Sequence, residues 1–131
     1  MTKVCILDYG SGNVGSVYNL IKFLNYECII SNDPNEVEKS SHVILPGVGA
    51  FGAAIQKVRE KISVEKLENE ILKKNKPFLG ICVGMQLMAT LGEEFGEFKG
   101  LGWIEGKVKK MKSKILPHIG WNRSEEHTSE L

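Results

Sequence analysis

Pro77-Phe78-Leu79-Gly80-Ile81-Cys82-Val83-Gly84-Met85-Gln86-Leu87-Met88 is the stretch on which the reading of the fold turns. Its first five residues are a short, almost wholly apolar run, the mark of a strand buried on both faces of a parallel sheet. Met85-Gln86-Leu87-Met88 starts a helix. Between them, Gly80-Ile81-Cys82-Val83-Gly84 is the nucleophile-elbow pattern with cysteine in the serine position. Glycines two residues to either side relieve the crowding of a sharp strand-to-helix turn, which projects the central side chain above the sheet. A helix N-terminus there favours thiolate over thiol, and thiolate is the attacking species. The Val83 N–H would point at the developing oxyanion. The plainer reading of the same residues is a small buried cysteine at a strand end, with glycines for packing only.

The alternation recurs along the chain. Val4-Cys5-Ile6-Leu7, Cys28-Ile29-Ile30 and Val43-Ile44-Leu45 are further short apolar runs. Tyr9-Gly10-Ser11-Gly12-Asn13 is turn chemistry, after which Val14, Val17, Leu20, Ile21 and Leu24 fall at helical spacing. Asp33-Pro34 reads as an N-cap followed by proline at the first helical position, opening a short helix through Val37. Residues 51–61 and 64–74 are amphipathic and charged, so surface helices are predicted there. Lys107-Val108-Lys109-Lys110-Met111 alternates like an edge or half-exposed strand. Strands alternating with helices predict an α/β fold with a doubly wound, mostly parallel sheet, and function at the carboxyl ends of its strands.

Composition narrows the field. At 131 residues the chain is one domain, with 42% apolar and 25% charged residues, globular averages that disfavour disorder and coiled coil. Its formal charge of +1 gives no electrostatic reason to expect nucleic acid or an anionic membrane as partner. No apolar run is long enough to span a bilayer, and Asp8 arrives too early for a signal peptide. The three cysteines, Cys5, Cys28 and Cys82, have no CxxC spacing, so neither a disulfide framework nor a metal site is expected. A reducing, cytoplasmic compartment is expected. Met85, Met88 and Trp103 read as core, and the lysines from Lys107 to Lys114 as a solvated face.

Two more glycine-rich loops follow strands. Gly10-Ser11-Gly12-Asn13-Val14-Gly15 is a literal GxGxxG between strand and helix, which would suit a dinucleotide pyrophosphate. That fingerprint also wants an acid at the end of the second strand, where Ser31 stands. A tight turn explains the same glycines without a ligand. Pro46-Gly47-Val48-Gly49-Ala50-Phe51-Gly52 can turn a backbone N–H toward a reacting carbonyl, or serve only as a connector.

Together, Asp8-Tyr9-Gly10-Ser11-Gly12-Asn13, Pro46-Gly47-Val48-Gly49-Ala50-Phe51, Gly80-Ile81-Cys82-Val83-Gly84-Met85-Gln86 and Pro117-His118-Ile119-Gly120-Trp121-Asn122 resemble class I glutamine amidotransferases. Within that class they are similar to the glutaminase subunits of imidazole glycerol phosphate synthases of histidine biosynthesis. The resemblance runs from Met1 to Asn122 and implies a flavodoxin-like sheet. It implies Cys82 as the nucleophile forming a glutamyl thioester, Gly49 and Val83 lining the oxyanion hole, and Gln86 contacting the substrate glutamine. Asn13, His118, Trp121 and Asn122 would lie toward a (β/α)-barrel cyclase subunit that receives the ammonia, with no cofactor. The GxGxxG-like loop then becomes a docking turn.

The departure from the family is in the base. A cysteine nucleophile needs a general base with an orienting group, which the family supplies from a His-Pro-Glu segment. No such segment is present. His42 precedes the third strand, His118 belongs to the Pro-His-Ile-Gly-Trp-Asn motif, and His127 falls in the closing string Arg123-Ser124-Glu125-Glu126-His127-Thr128-Ser129-Glu130-Leu131. That string is patternless and matches one reading frame of a common sequencing-library adapter, so residues 1–122 are expected to be the amidotransferase portion and 123–131 a non-native tail. The alternative is an ordinary polar tail. The fold is therefore expected to be incomplete at its C-terminus, of low stability, and inactive for want of the base. Other functions open at this point are a paralogous amidotransferase supplying ammonia for sugar modification, a non-catalytic nucleotide-binding module on residues 10–15, and a piece that only binds a partner.

Overall fold

The structure is a computed structural model and describes residues 1–112 and 115–121. Asn122 and the 123–131 tail lie outside the described residues, as does Lys114. The chain runs β1 (Lys3–Leu7), α1 (Val14–Phe23), β2 (Glu27–Ser31), α2 (Pro34–Lys39), β3 (His42–Leu45), α3 (Phe51–Lys61) and α4 (Val64–Glu68). It continues through a π-helical turn (Asn69–Lys73) to β4 (Phe78–Gly80), α5 (Val83–Gln86), β5 (Ala89–Gly92), β6 (Phe98–Lys99) and β7 (Ile104–Val108).

The main sheet has the order β2-β1-β3-β4 and every pairing in it is parallel. Side chains alternate across it, as the two-residue strand period requires. Val4, Ile6 and Ile44 point to the face covered by α1, where Val14, Val17 and Ile21 meet them. Cys5, Leu7, Val43 and Leu45 point to the other face, against Val37 of α2, Phe51, Ala54, Ile55 and Val58 of α3, and Leu67 of α4. Helices on both faces make the sheet doubly wound, as expected, and its order is flavodoxin-like. A smaller sheet, β6-β5-β7, lies beside it.

Local chemistry sets the helix starts. Asp33 accepts the Asn35 N–H at 2.9 Å and Pro34 takes the first helical position of α2. Asn13 caps α1 by accepting from the Ser16 N–H at 3.3 Å. The spacing of Phe51, Ala54, Ile55 and Val58 gives α3 one buried stripe.

Four expectations are corrected. The apolar run before Cys82 is not buried on both faces: among the described residues β4 is an edge strand, Leu79 and Ile81 are exposed, and Leu79 lines an apolar groove with Leu24, Tyr26 and His42. The helix after Cys82 is one turn long and stops at Gln86, because Ala89 is claimed by pairing with Ile104; Met85 is exposed rather than core. The last strand starts at Ile104 rather than Lys107. The helix predicted over 64–74 widens after Glu68 into the π-helical turn, in which the Lys74 N–H reaches back five residues to the Asn69 carbonyl. Trp103, by contrast, packs as expected, edge-on to Phe78 with its Nε1–H donating to Glu68 at 2.8 Å. Among the described residues no helix is long and apolar enough to cross a membrane, and no cluster of side chains is suited to hold a metal ion.

The π-helical turn carries Glu70, buried between Lys74 at 2.9 Å and Lys76 at 3.0 Å. Lys76 also donates to the Val37 and Glu38 carbonyls at 2.7 and 2.9 Å, tying the end of α2 to the entrance of β4. Hydrogen bonds from Lys74 and then Lys76 hold the Glu70 carboxyl below its ordinary range. Its contribution to stability is therefore present above the unfolded carboxyl pKa and is lost as pH falls through the lower folded value. Glu70→Gln is expected to cost about 1–2 kcal/mol at pH 7. In denaturant titrations its gap from the parent chain should close as pH falls below about 4, near the free glutamate pKa.

Candidate active site

Cys82 stands where β4 ends. The Ile81 N–H donates to the Leu45 carbonyl at 2.9 Å, carrying the β3–β4 pairing one residue past Leu45 and Gly80. The chain then turns through Cys82 at φ 56° and ψ −120°, a conformation uncommon for a residue with a Cβ. The flanking glycines show why the turn needs them. A Cβ on Gly80 would fall 2.6 Å from the Met85 Cα, and one on Gly84 would overlap the Leu45 carbonyl oxygen. This is the elbow geometry predicted from residues 80–84, and it leaves the Cys82 side chain exposed.

The other two thiols are set apart by burial. Cys5 is fully inside the core, and burial, with Glu36 adding to it, pushes its pKa up to about 11. Burial also raises the pKa of Cys28. Neither faces the carboxyl end of the sheet, since Cys5 lies mid-strand and Cys28 pairs with Val4.

Beside the elbow opens a cavity of about 470 Å³ lined by Gly49, Val83, Gln86, Glu93, Glu94 and neighbours that include Lys109 and Lys110. Three of the predicted site residues thus share one wall, with Cys82 adjoining it through Val83. The Val83 N–H, first in α5, is used by no backbone carbonyl among the described residues, and the same holds for the Gly49 N–H. Gly49 has φ 89°, which a residue with a Cβ rarely adopts. Two unpaired N–H groups on adjoining strand ends are what an oxyanion hole requires.

Glu93, Glu94 and Phe95 were not singled out by the sequence. They stand in a turn between β5 and β6, and only tertiary packing brings that turn to the cavity. Glu94 Oε1 accepts the Phe51 N–H at 2.9 Å, and Glu93 lies 3.7 Å from Lys107. Glu94 is thus engaged by the start of α3, and Glu93 by Lys107.

The remaining candidates are placed apart. The loop after β1 packs on the loop after β3: the Tyr9 hydroxyl donates to the Pro46 carbonyl, and Ser11 Oγ donates to the Val48 carbonyl at 3.2 Å. Gly12 faces Pro46 and Gly47 closely, whereas a Cβ on Gly15 would meet open space. The close helix–strand packing that the third glycine of a dinucleotide fingerprint serves is thus missing here. His42 sits at the amino end of β3, roughly 10 Å of strand before Leu45, with Nδ1 2.8 Å from Ser41 Oγ. His118 and Trp121 are exposed in the 115–121 segment. Among the described residues no side chain is hydrogen-bonded to Cys82 Sγ, an imidazole included.

The sheet order and the cysteine elbow agree with a class-I glutamine amidotransferase, and the chain belongs to that family: the profile of "Glutamine amidotransferase class-I" matches residues 5–130. Among its relatives is the "Imidazole glycerol phosphate synthase subunit HisH" of Zymomonas mobilis, 44% identical over 130 residues, which cover 93% of this chain and 61% of that protein. The subunit of the same name from Methanopyrus kandleri is 41% identical, over 98% of this chain and 64% of its own length. The chain therefore spans about three-fifths of the relatives it matches. A crystal structure of a glutamine amidotransferase superposes with a TM-score of 0.65 at 20% identity, covering 79% of this chain and 54% of that one, and shares its fold.

The elbow glycines and Gly15 make opposite predictions. Gly84→Ala drives a Cβ into the Leu45 carbonyl and is expected to lower stability by about 2–4 kcal/mol. Gly15→Ala, in a helix with open space around it, should instead gain about 0.5–1 kcal/mol. Thermal or urea unfolding of the two variants beside the parent chain checks both signs.

Proposed function

We propose that this chain carries the nucleophile and oxyanion portion of a glutaminase, the ammonia-producing subunit of an imidazole glycerol phosphate synthase. The observation that supports it is the single cavity wall uniting Gly49, Val83 and Gln86 beside the Cys82 elbow. Cys82 thiolate attacks the side-chain amide carbon of glutamine, and the N–H groups of Gly49 and Val83 receive the charge that moves onto the oxygen. Collapse breaks the C–N bond, ammonia leaves with a proton from the general acid, and a glutamyl thioester remains. Water then attacks the thioester, giving glutamate and the free thiol. Gln86, one helical turn beyond Cys82, orients the substrate.

In this reading the base and its orienting acid belong to the portion of the relatives' length that this chain does not span, so the short chain is inactive alone. Residues 1–122 form the amidotransferase portion and 123–131 a non-native tail. The ammonia passes to a (β/α)-barrel cyclase, and Asn13, His118 and Trp121 are assigned to the contact with it. Trp121 and Ile119, almost fully exposed, suit such a contact, and the product would be an imidazole glycerol phosphate.

Glutamine hydrolysis is measured with the cyclase and its ligand present, for this chain and for one continued by native sequence after Asn122. Activity only in the longer chain is expected, with Cys82→Ala lowering it by at least about 10³-fold. Hydrolysis by the short chain alone would overturn the assignment of the base and direct mutation to His118 and His127.

A further inference from the structure

We propose that Glu94 is a positioning residue: by capping the first turn of α3 it fixes the loop that presents the Gly49 N–H to the oxyanion. The proposal rests on the glutaminase reading of the Cys82 site and adds a residue to it.

The oxyanion wall is not a rigid element but a loop between the end of β3 and the start of α3. Gly49 lies within it at φ 89°, with nothing near its Cβ position, so packing alone does not hold it. On the β3 side the loop is tied down at Pro46 and Val48 by Tyr9 and Ser11. On the α3 side the N-cap is Ala50, whose side chain cannot accept a hydrogen bond. The first N–H groups of an eleven-residue helix are left needing acceptors. Glu94 supplies one from 43 residues away, accepting the Phe51 N–H at 2.9 Å. A carboxylate there also complements the positive end of the helix.

That contact is not isolated. Two ring-on-glycine approaches flank it, running in opposite directions across the same interface. A Cβ on Gly52 of α3 would fall 2.7 Å from the Phe98 ring of β6. A Cβ on Gly92 of β5 would overlap the ring of Phe51, which is fully buried. Each element gives a phenylalanine to the other's glycine, and this sets the β5–β6 turn squarely over the start of α3. Phe95 at φ 55° and Gly96 at φ 119° close the turn and leave Glu94 facing Phe51.

Phe51 is two residues from Gly49, so a shift at the cap moves the oxyanion donor. Displacements of about 1 Å in such a site cost on the order of 100-fold in rate. The needed chemistry at Glu94 is an acceptor oxygen, not a charge. A glutamine there keeps the acceptor and drops the charge, and that separates capping from any direct electrostatic contact with a ligand in the cavity.

The test uses the whole chain and two electrophiles, at about pH 9.5, where a free thiol is mostly thiolate and no base is needed. One is a glutamine-shaped chloroketone, whose attack by sulfur builds an oxyanion. The other is iodoacetamide, which alkylates the thiolate by direct displacement of iodide and builds no oxyanion. Labelling at Cys82 is followed by peptide mass. For Glu94→Ala, the chloroketone rate is expected to fall about 10- to 100-fold while the iodoacetamide rate stays within twofold. Glu94→Gln should restore the chloroketone rate to within about threefold of the parent, the amide oxygen keeping the neutral hydrogen bond.

An unchanged ratio in Glu94→Ala, or a Glu94→Gln variant as slow as Glu94→Ala, would overturn the proposal. Because Glu94→Ala can unfold the turn, hydrogen exchange at the Phe51 amide is read in the parent and in Glu94→Gln. Protection in both is expected, and rapid exchange in the parent overturns the cap. A parent chain that takes iodoacetamide but never the chloroketone defeats the glutaminase reading itself, a different pattern from any failure of Glu94.

Discussion

Backbone lies against backbone where the turn at residues 80–84 meets the end of β3. A Cβ on Gly47 would fall 2.6 Å from the Gly84 nitrogen, and one on Gly84 would run into the Leu45 carbonyl. Three consequences follow from that approach. The β3–β4 pairing can extend to Ile81. The chain must then reverse within one residue, which puts Cys82 at positive φ. The loops carrying Gly49 and Val83 are brought together, so that both residues line one cavity. The conformation at Cys82 costs on the order of 1–3 kcal/mol, and it persists because tightly packed backbone on both sides leaves the residue no other path.

A strand of three residues on a sheet edge makes few ladder bonds, so β4 depends on how its two ends are held. The carboxyl end is fixed by the glycine contacts just described. The amino end is fixed by Lys76, nearly buried, whose ammonium group meets two carbonyls of α2 and the carboxylate of Glu70. A buried ammonium is tolerated only with such complete satisfaction. The placement of the thiol therefore rests on an ionic cluster at one end of the strand and a steric constraint at the other.

Much of this was legible in the sequence wherever the cause is local. Asp33-Pro34 starts a helix through its own side chain and ring, and Gly80-Ile81-Cys82-Val83-Gly84 turns sharply because its glycines must sit where they do. What the sequence concealed is set by distant partners. α5 stops after one turn because β5 pairs with β7, a choice made by residues 104–108. β4 looked buried from its apolar residues, yet burial depends on what covers a strand, and Leu79 lines an open groove. Glu93 and Glu94 reach the cavity only because Phe51 and Phe98 lock the β5–β6 turn onto α3. No periodicity within 92–98 encodes that.

The three cysteines show how the fold assigns reactivity among chemically identical groups. Attack requires a thiolate, access, and a place for the charge that develops on the electrophile. Cys5 fails the first two: the core excludes it from solvent and raises its pKa to about 11. Cys28 is partly covered, and its Sγ is directed to the Tyr18 carbonyl at 3.9 Å. Of the three, Cys82 alone is exposed, and its neighbour Val83 lines the cavity together with Gly49. The same sharp turn produces all of this at once, since reversing the chain lifts the side chain out of the sheet and frees the N–H of the next residue. The exposed thiol of Cys82 and a Val83 N–H that no backbone carbonyl among the described residues accepts are thus two outcomes of one steric event, the turn at residues 80–84.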